Sequence, residues 1–330
     1  MTLRNEIVDR ERLDEITVKV IEADGYFNSA QSWNLTVEDT AGQTFEVKIW
    51  NTHDVNTWWR EGWRYILKQG RGRRGGSNKV VLHSTDDFTV HRPDDVTDLL
   101  AISDSHLGRE QRSRDDGAPH RAARQFLAAI GYANRYNVAA VLHAGDFFDD
   151  DLTPEDAAIA KSGFKILEQN DIPFYYIHGN HGIRLAEEFF TELNCENHHH
   201  LDTSGVQIDD NVEIFGVDHK SPSDFFTTSA DFSISTNINH QVLILHQELA
   251  PVREHAEISL GTLSEPPNVE FDYVLGGHLH DPEFGSWHVT KVQYLGSTAD
   301  LSKKKSAVDQ SAWLLRATPE LVDLNRLPLS

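Results

Sequence analysis

His143-Ala144-Gly145-Asp146-Phe147-Phe148-Asp149 decides how this chain is read. An apolar run, Val138 to Leu142, precedes it and has the character of a strand buried on both faces of a parallel sheet. The run ends in a glycine and then an aspartate. In open α/β sheets ligands sit outside the carboxyl ends of the strands. A single Gly-Asp at such a place is more often a turn, so its meaning depends on whether other strands end alike.

Four others do. Leu99–Ser103 runs into Asp104-Ser105-His106, and Pro173–Ile177 into Gly179-Asn180-His181. Val242–Leu245 runs into His246-Gln247, and Tyr273–Gly276 into Gly277-His278-Leu279-His280. Five strands thus aim Asp, His and Asn side chains at one rim. Carboxylate, imidazole and amide oxygen suit borderline divalent ions such as manganese or iron, with zinc also compatible. Any one of these histidines alone reads as an ordinary core or turn residue; the five ends together do not.

The ordered set Asp-x-His, Gly-Asp, Gly-Asn-His, His, Gly-His-x-His resembles the calcineurin-like metallophosphoesterases over roughly residues 98 to 298. Asp104–Gly108, Gly145–Asp149, His246-Gln247 and Tyr294–Ser297 resemble one branch more closely, the nuclease subunit of SbcCD-type double-strand-break repair complexes. The resemblance implies an α/β metallophosphoesterase fold, two sheets flanked by helices. It also implies two divalent ions, manganese first, that together address both ends of an in-line displacement on phosphorus. The first would be held by Asp104, His106, Asp146 and His280, the second by Asp146, Asn180, His246 and His278, with Asp146 as the bridge. His181 is the motif histidine left over, and by resemblance it donates a proton to the leaving oxygen or stabilises the phosphate. As a residue type histidine suits proton transfer near neutral pH. Asp149 is expected either to orient a ligand imidazole or to act as a solvated loop carboxylate. The family usually has an acid after Gly-Asn-His, and this chain has Gly182.

The net charge of −22 is unevenly spread. Residues 1–92 carry 13 Lys and Arg against 14 Asp and Glu, and residues 93–330 carry 17 against 38. The second part repels a polyanion at long range, and salt screens that repulsion. Few lysines and many carboxylates lean toward a salt-adapted protein. The single cysteine, Cys195, excludes an internal disulfide and a thiolate cluster. No leader is visible after Met1 and no apolar run reaches 18 residues, so a cytoplasmic protein without membrane contact is expected.

Residues 1–92 read as a second domain. Strands are expected at Thr17–Ile21, Trp33–Val37, Phe45–Ile49, Gly62–Gln69 and Lys79–His83, with a turn at Asp39–Gly42 and a short helix over Val55–Arg60. This is the order of a small all-β OB-fold barrel, and the stretch resembles the single-strand-binding domains of archaeal replication protein A. Such barrels combine basic grooves with aromatic platforms. Trp50, on the face opposite Phe45, Val47 and Ile49, and Arg71, Arg73 and Arg74, in a loop between strands four and five, are the candidate DNA contacts. Tyr26, Phe27 and Trp33 are further ones; Trp58, Trp59 and Trp63 read as core. His91–Asp95 is the expected linker into the catalytic domain, residues 93–330.

In that domain, helices are expected over Pro119–Tyr136, from Thr153-Pro154 and around Leu185–Leu193, a turn at His198–His200, and a surface excursion over Ser221–Asn239. The repair nucleases carry a capping domain and helices that dock on an ATPase partner. A chain ending at Ser330 leaves no room for these, so the barrel is expected to hold DNA, with a repair or replication protein as partner. The domain order also resembles the small exonuclease subunit of D-family polymerase. The reading is therefore a two-metal phosphodiesterase acting on DNA, single-stranded or single-stranded at its ends. A small-molecule phosphodiesterase or phosphatase, and a non-catalytic single-strand-binding accessory subunit, are the alternatives; the complete ligand set argues against the last.

Overall fold

The computed structural model describes residues 3–329 apart from 29–30, 54, 56–58, 76–78, 94, 110–119, 150, 194, 229–231, 233, 236, 257, 260, 262–270 and 300–309. Two compact units divide the chain, Met1–Asp94 and Asp95–Ser330.

The first unit is a small β domain of seven strands: β1 (Glu15–Asn28), β2 (Gln31–Asp39), β3 (Thr44–Trp50), β4 (Arg64–Lys68), β5 (Arg71–Arg74), β6 (Val80–His83) and β7 (Thr89–His91). They pair in the order β5-β6-β3-β2-β1-β4-β7. The β3–β6 pair is parallel and the others are antiparallel. Alternation explains the burial: Phe45, Val47 and Ile49 face inward, with Leu35, Val37, Val18 and Val20 from the neighbouring strands. Asp39 closes the β2–β3 turn by accepting from the backbone N–H of Ala41 and Gln43, both at 2.9 Å. Trp59 and Trp63 are core, as expected. Val55, Trp59 and Arg60 are irregular, and the rest of the expected helix, with Trp58, lies outside the described residues.

Two expectations fail here. Arg71–Arg74 is a strand and not a loop, because it pairs antiparallel with β6 and the N-terminal segment also lies along it: Arg10 N–H donates to Gly72 O (2.8 Å) and Gly72 N–H to Glu11 O (2.9 Å). His91 likewise belongs to a strand that pairs with β4, so the linker is shorter than the sequence implied.

The second unit contains β8 (Thr97–Ile102), α1 (Arg121–Tyr136), β9 (Ala140–His143), α2 (Pro154–Gln169), β10 (Phe174–Tyr176), α3 (Ile183–Glu192), β11 (His198–His200), β12 (Val206–Gln207), β13 (Val212–Val217), α4 (Pro222–Thr228), β14 (His240–Leu245), β15 (Leu249–Ala250), β16 (Ile258–Ser259), β17 (Tyr273–Gly276), β18 (Glu283–Trp287), β19 (Thr290–Tyr294), β20 (Ser311–Ala317) and β21 (Val322–Pro328). One six-stranded sheet has the order β11-β10-β9-β8-β20-β21 and the other β12-β13-β14-β17-β19-β18. Two six-stranded sheets with helices on them are what the sequence implied for this unit. Leu99, Ala101, Leu142, Ile214, Val242, Ile244 and Leu275 form one continuous core between the sheets.

On its other face the first sheet is covered by an aromatic cluster, Phe126, Phe147, Phe164, Phe174 and Phe190, supplied partly by α1, α2 and α3. Helix α2 starts as its sequence dictates, with Thr153 Oγ1 accepting from Asp156 N–H (3.1 Å) and Pro154 in the first turn. Two further expectations are corrected. Ser221–Asn239 is not simply a surface excursion: Phe225 in α4 and Phe232 are buried against Phe215 and Leu243. His198–His200 is a strand and not a turn, parallel to β10, with His198 stacked on Phe190 (5.1 Å, 19°). Among the described residues no helix is long and apolar enough to cross a membrane.

Candidate metal centre

Strands β8, β9, β10, β14 and β17 end at one rim, and the segments after them carry the seven proposed ligands. The backbone is strained there: Asp104 (φ 47°), His106 (φ 40°), Asp146 (φ 54°) and His278 (φ 79°) all adopt left-handed conformations. Each costs about 1–2 kcal/mol for an L-residue, and such outliers gather where function over-determines geometry. Hydrogen bonds hold the turns. Asp104 N–H donates to Gly145 O (3.1 Å) and His106 N–H to Asp146 O (3.0 Å). Ser297 Oγ donates to Asp104 O (2.7 Å), which ties the segment after β19 to the first turn.

Asp146 stands in the middle. Its Oδ1 accepts from the backbone N–H of His181 (2.8 Å). Its Oδ2 lies 3.5 Å from His106 Nε2 and 3.4 Å from His246 Nε2. Asp104 Oδ1 lies 3.8 Å from both His106 Nε2 and His280 Nε2. Asn180 Oδ1 is 3.1 Å from both His246 Nε2 and His278 Nδ1. Two donors about 2.1 Å from a shared ion stand about 3.0–3.4 Å apart at ordinary bond angles, so these spacings are near those of coordination spheres. Asp104, His106 and His280 form one group able to hold an ion; Asp104, Asp146 and His246 form another.

The donor set fits cations. Asp104 Oδ1 and His106 Nε2 are fully buried and have no hydrogen-bond partner among the described residues. An unsatisfied buried polar atom costs about 1–3 kcal/mol, more when charged, and a cation between them removes that penalty. Burial pushes the Asp104 carboxyl up to about 7 although the His246 imidazole opposes it. Burial pushes His106 down to about 3, and burial together with the neighbouring His246 pushes His278 down to about 4. Asp146 is buried too, yet hydrogen bonding and charge from His246 and His106 hold it below the usual carboxylate range. For His246 burial is outweighed by Asp146 and Asp104, which hold it above its ordinary value. Its Nδ1–H donates to Ala144 O (2.7 Å), which turns Nε2 toward Asp146 and Asn180.

His181 is exposed at the rim, its ring 5.7 Å from that of His106. Gly182, where the family has an acid, has φ +60°, and a Cβ there would lie 2.4 Å from Phe148 O. The chain passes too close to the Phe148-Asp149 backbone for a side chain, so backbone packing accounts for the glycine. Asp149 Oδ2 lies 4.0 Å from His106 Nδ1, beyond hydrogen-bond reach, and 3.5 Å from Arg109 Nε.

Sequence reasoning missed two supports and one neighbour. His143, fully buried, meets Ser105 Oγ through Nε2 (2.9 Å) and braces the Asp104–His106 turn. Arg109 is half-exposed beside Asp149. His219 packs its ring 5.8 Å from His278 and 6.1 Å from His246. Its signal was available, since Val212–Val217 is a sixth apolar run that ends in a polar pair, Asp218-His219.

In the small β domain, Trp50 is half-buried on the outer face of β3 and stacks on His83 (5.6 Å, 10°), donating from Nε1 to His83 Nδ1 (3.1 Å). Register places Arg71, His83, Lys48 and Asn34 in one cross-strand row over β5, β6, β3 and β2. Arg71 and Arg73 are exposed. Arg74 is used differently: its guanidinium donates to Ile7 O and Asn5 O, each at 2.6 Å, and pins the N-terminal segment. Trp33 is half-buried; the side chains of Tyr26 and Phe27, and Lys303–Lys305, a basic run that the sequence offers as a second DNA contact, lie outside the described residues.

Residues 97–282 match the calcineurin-like phosphoesterase family. The DNA double-strand break repair protein Mre11 of Haloferax volcanii is 30% identical over 244 residues, covering 71% of this chain and 52% of that protein. The Mre11 of Methanococcus maripaludis is 28% identical over 195 residues, covering 55% and 51%. That of Halobacterium salinarum is 31% identical over 209 residues, covering 61% and 51%. The chain thus spans about half the length of these relatives.

Proposed function

Because the chain belongs to the calcineurin-like phosphoesterases, we propose that it hydrolyses phosphodiester bonds in DNA with two divalent ions, manganese first and iron or zinc as alternatives. The observation that carries this reading is Asp146 Oδ2, set 3.5 Å and 3.4 Å from two imidazole nitrogens that belong to opposite halves of the donor set. Asp104, His106, Asp146 and His280 would hold one ion, and Asp146, Asn180, His246 and His278 the other. Ions so held supply an acidified water at neutral pH and stabilise charge on both the attacking and the leaving oxygens.

The chain's own residues do the rest. Asp146 accepts from the His181 backbone and so fixes the loop on which that imidazole stands. His181 carries the proton given to the leaving oxygen, work that contributes typically about 10²–10⁴-fold. Ala144 O, which accepts from Nδ1–H, holds the His246 ring in one orientation. Asp149 and Arg109 pair beside His106 and keep one positive group at the rim without adding net charge.

DNA is the favoured substrate for two reasons. The relatives above are named as break-repair proteins. The pairing order of the small domain supports an OB barrel, with β4 and β5, parted only by Gln69 and Gly70, acting as its bent fourth strand. Trp50, Arg71 and Arg73, with Lys48 and His83 in the same face, offer stacking and phosphate contacts to a single strand.

The full chain loaded with manganese is tested on bis-p-nitrophenyl phosphate, p-nitrophenyl phosphate and end-labelled single- and double-stranded DNA, with metal counted by elemental analysis. Two ions per chain, cleavage of the diester and of DNA, and loss of both ions and activity in Asp146→Ala are expected. Two ions retained in Asp146→Ala would remove the bridge. Cleavage of the monoester alone would make the protein a phosphatase.

A further inference from the structure

His219 stands outside both ion-holding groups yet faces the same rim. Strand β13 runs parallel to β14 with Val217 opposite Leu245, so the chain leaves the two strands side by side, His246 from one and Asp218-His219 from the other. Two backbone bonds fix that exit. His219 N–H donates to His178 O (2.9 Å), and Asp218 Oδ1 accepts from His178 N–H (2.7 Å). His200 Nε2 is a third contact of that carboxylate oxygen, at 2.8 Å. The segment is thereby locked to the loop that bears Asn180 and His181.

The His219 ring is half-exposed and makes no hydrogen bond among the described residues. It leans on His278 at an interplanar angle of 34° and meets His246 edge-on at 71°. Its nitrogens do not fall within either group of donors close enough to share an ion. Two imidazoles outside the ligand set therefore flank it: His181 beside His106, and His219 beside the His246–His278 pair.

We propose that His219 is a substrate-binding residue that donates a ring N–H to a non-bridging oxygen of the phosphate held at the metal centre. The inference rests on the phosphoesterase reading of that centre. A packed backbone holds the ring, its polar edge is unspent, and the partner it lacks is an anionic oxygen acceptor. Of a phosphodiester's own four oxygens only the leaving one reacts, so its two non-bridging oxygens still need donors, and His219 meets one of them.

The test uses the full chain loaded with manganese and three variants: His219→Ala, His219→Gln, which keeps an N–H donor, and His219→Phe, which keeps the ring packing without a donor. Three quantities are read: ions per chain, the dissociation constant of inorganic phosphate by calorimetry, and kcat and KM on bis-p-nitrophenyl phosphate. All three variants are expected to keep two ions. Alanine and phenylalanine should weaken phosphate binding and raise KM by about 10- to 100-fold, the worth of one hydrogen bond to a charged group. With kcat little changed, the loss is one of uniform binding, and glutamine should recover part of it. Loss of an ion in His219→Phe would make His219 a ligand and overturn the proposal. Unchanged phosphate affinity and KM in an active protein would leave it a packing residue and overturn it alone. A wild-type chain holding two ions that neither binds phosphate nor cleaves the diester would overturn the parent reading as well.

Discussion

Gly145→Ala tests whether the second half of the metal centre depends on a glycine. Gly145 has φ +91°, where an alanine costs about 1–2 kcal/mol. An ideal Cβ would lie 2.4 Å from His246 Nδ1, 2.8 Å from its Cγ and 3.0 Å from Gly179 Cα. Ordinary contact begins at 3.4 Å, so the ring must retreat by about 1 Å. That movement breaks the buried Nδ1–H bond to Ala144 O, now 2.7 Å, at about 1–3 kcal/mol. The metal-free protein should therefore lose about 2–5 kcal/mol. The same 1 Å shift moves Nε2 away from Asp146 Oδ2 and Asn180 Oδ1, while Asp104, His106 and His280 are left in place. One ion of two should be lost, and activity should fall by about 10²-fold or more, as 1 Å errors at reacting centres do. Urea unfolding in chelator reads the first effect and elemental analysis the second. Gly131→Ala is the control: it lies inside α1 with nothing within 4 Å, and should be neutral or stabilise by up to about 1 kcal/mol. Unchanged stability together with two retained ions in Gly145→Ala would refute the reasoning.

His181→Ala should keep both ions and lose most turnover on DNA, with a smaller defect on p-nitrophenyl esters, whose leaving group needs little protonation; equal defects on both would remove the acid role. Asp98 and Arg316 face each other in register and share two 2.6 Å hydrogen bonds, with side chains only 3% and 7% exposed. Asp98→Asn should destabilise by about 3–5 kcal/mol in urea, and Asp98→Leu with Arg316→Met should recover most of it; a loss under about 1 kcal/mol in the single variant would count against a buried pair. His240 Nδ1 lies 3.5 Å from Asp272 Oδ1, which holds the imidazole above its ordinary value, while Asp272, despite burial, is held below its own by His240 and the Gln241 N–H. The histidine contribution is full below about pH 6.5 and fades as pH rises through the folded value; the aspartate contribution is present above about pH 4 and fades as pH falls. The melting difference between wild type and His240→Gln should then peak between those limits, and a difference that grew toward pH 9 would contradict the pairing.

What the sequence made legible was whatever one strand announces locally. Each of the five ligand-bearing ends combines an apolar run with a polar close, and that grammar needs no knowledge of neighbours. His219 follows the same grammar, but Val212–Val217 announces only a strand, and the imidazole after it belongs to no member of the ordered motif set. Phe225 and Phe232 were hidden for a different reason, since a core contact made from a Ser- and Thr-rich stretch depends on Phe215 and Phe271 far along the chain. Strands β5 and β11 could not be read at all. Arg71–Arg74 and His198–His200 have no apolar alternation; they extend because β6 and β10 offer them hydrogen bonds, and such pairing is non-local. Gly182 looked like a missing acid until the approach of Phe148 O gave it a steric cause.

The charge of the catalytic unit poses a last question, because on the proposed reading a polyanionic substrate would have to reach an acidic surface. Residues 93–330 carry 17 basic and 38 acidic side chains, yet within the ligand set only Asp104 and Asp146 are acids, against four histidines and an asparagine. Two divalent ions facing two carboxylates leave about two positive charges in the pocket on the proposed reading. At ordinary ionic strength the Debye length is about 8 Å, so the distant carboxylates are largely screened while the pocket is felt at contact. The acidic surface then slows encounter without opposing binding, and the ions decide the sign that the phosphate meets. Histidines serve better at such a rim than lysines would. Burial keeps His106 and His278 uncharged, so they can give lone pairs to a cation where an ammonium would repel it. The positive charge would thereby be concentrated in the proposed ions, between the two strand-end halves that meet at Asp146, and not spread over the rim.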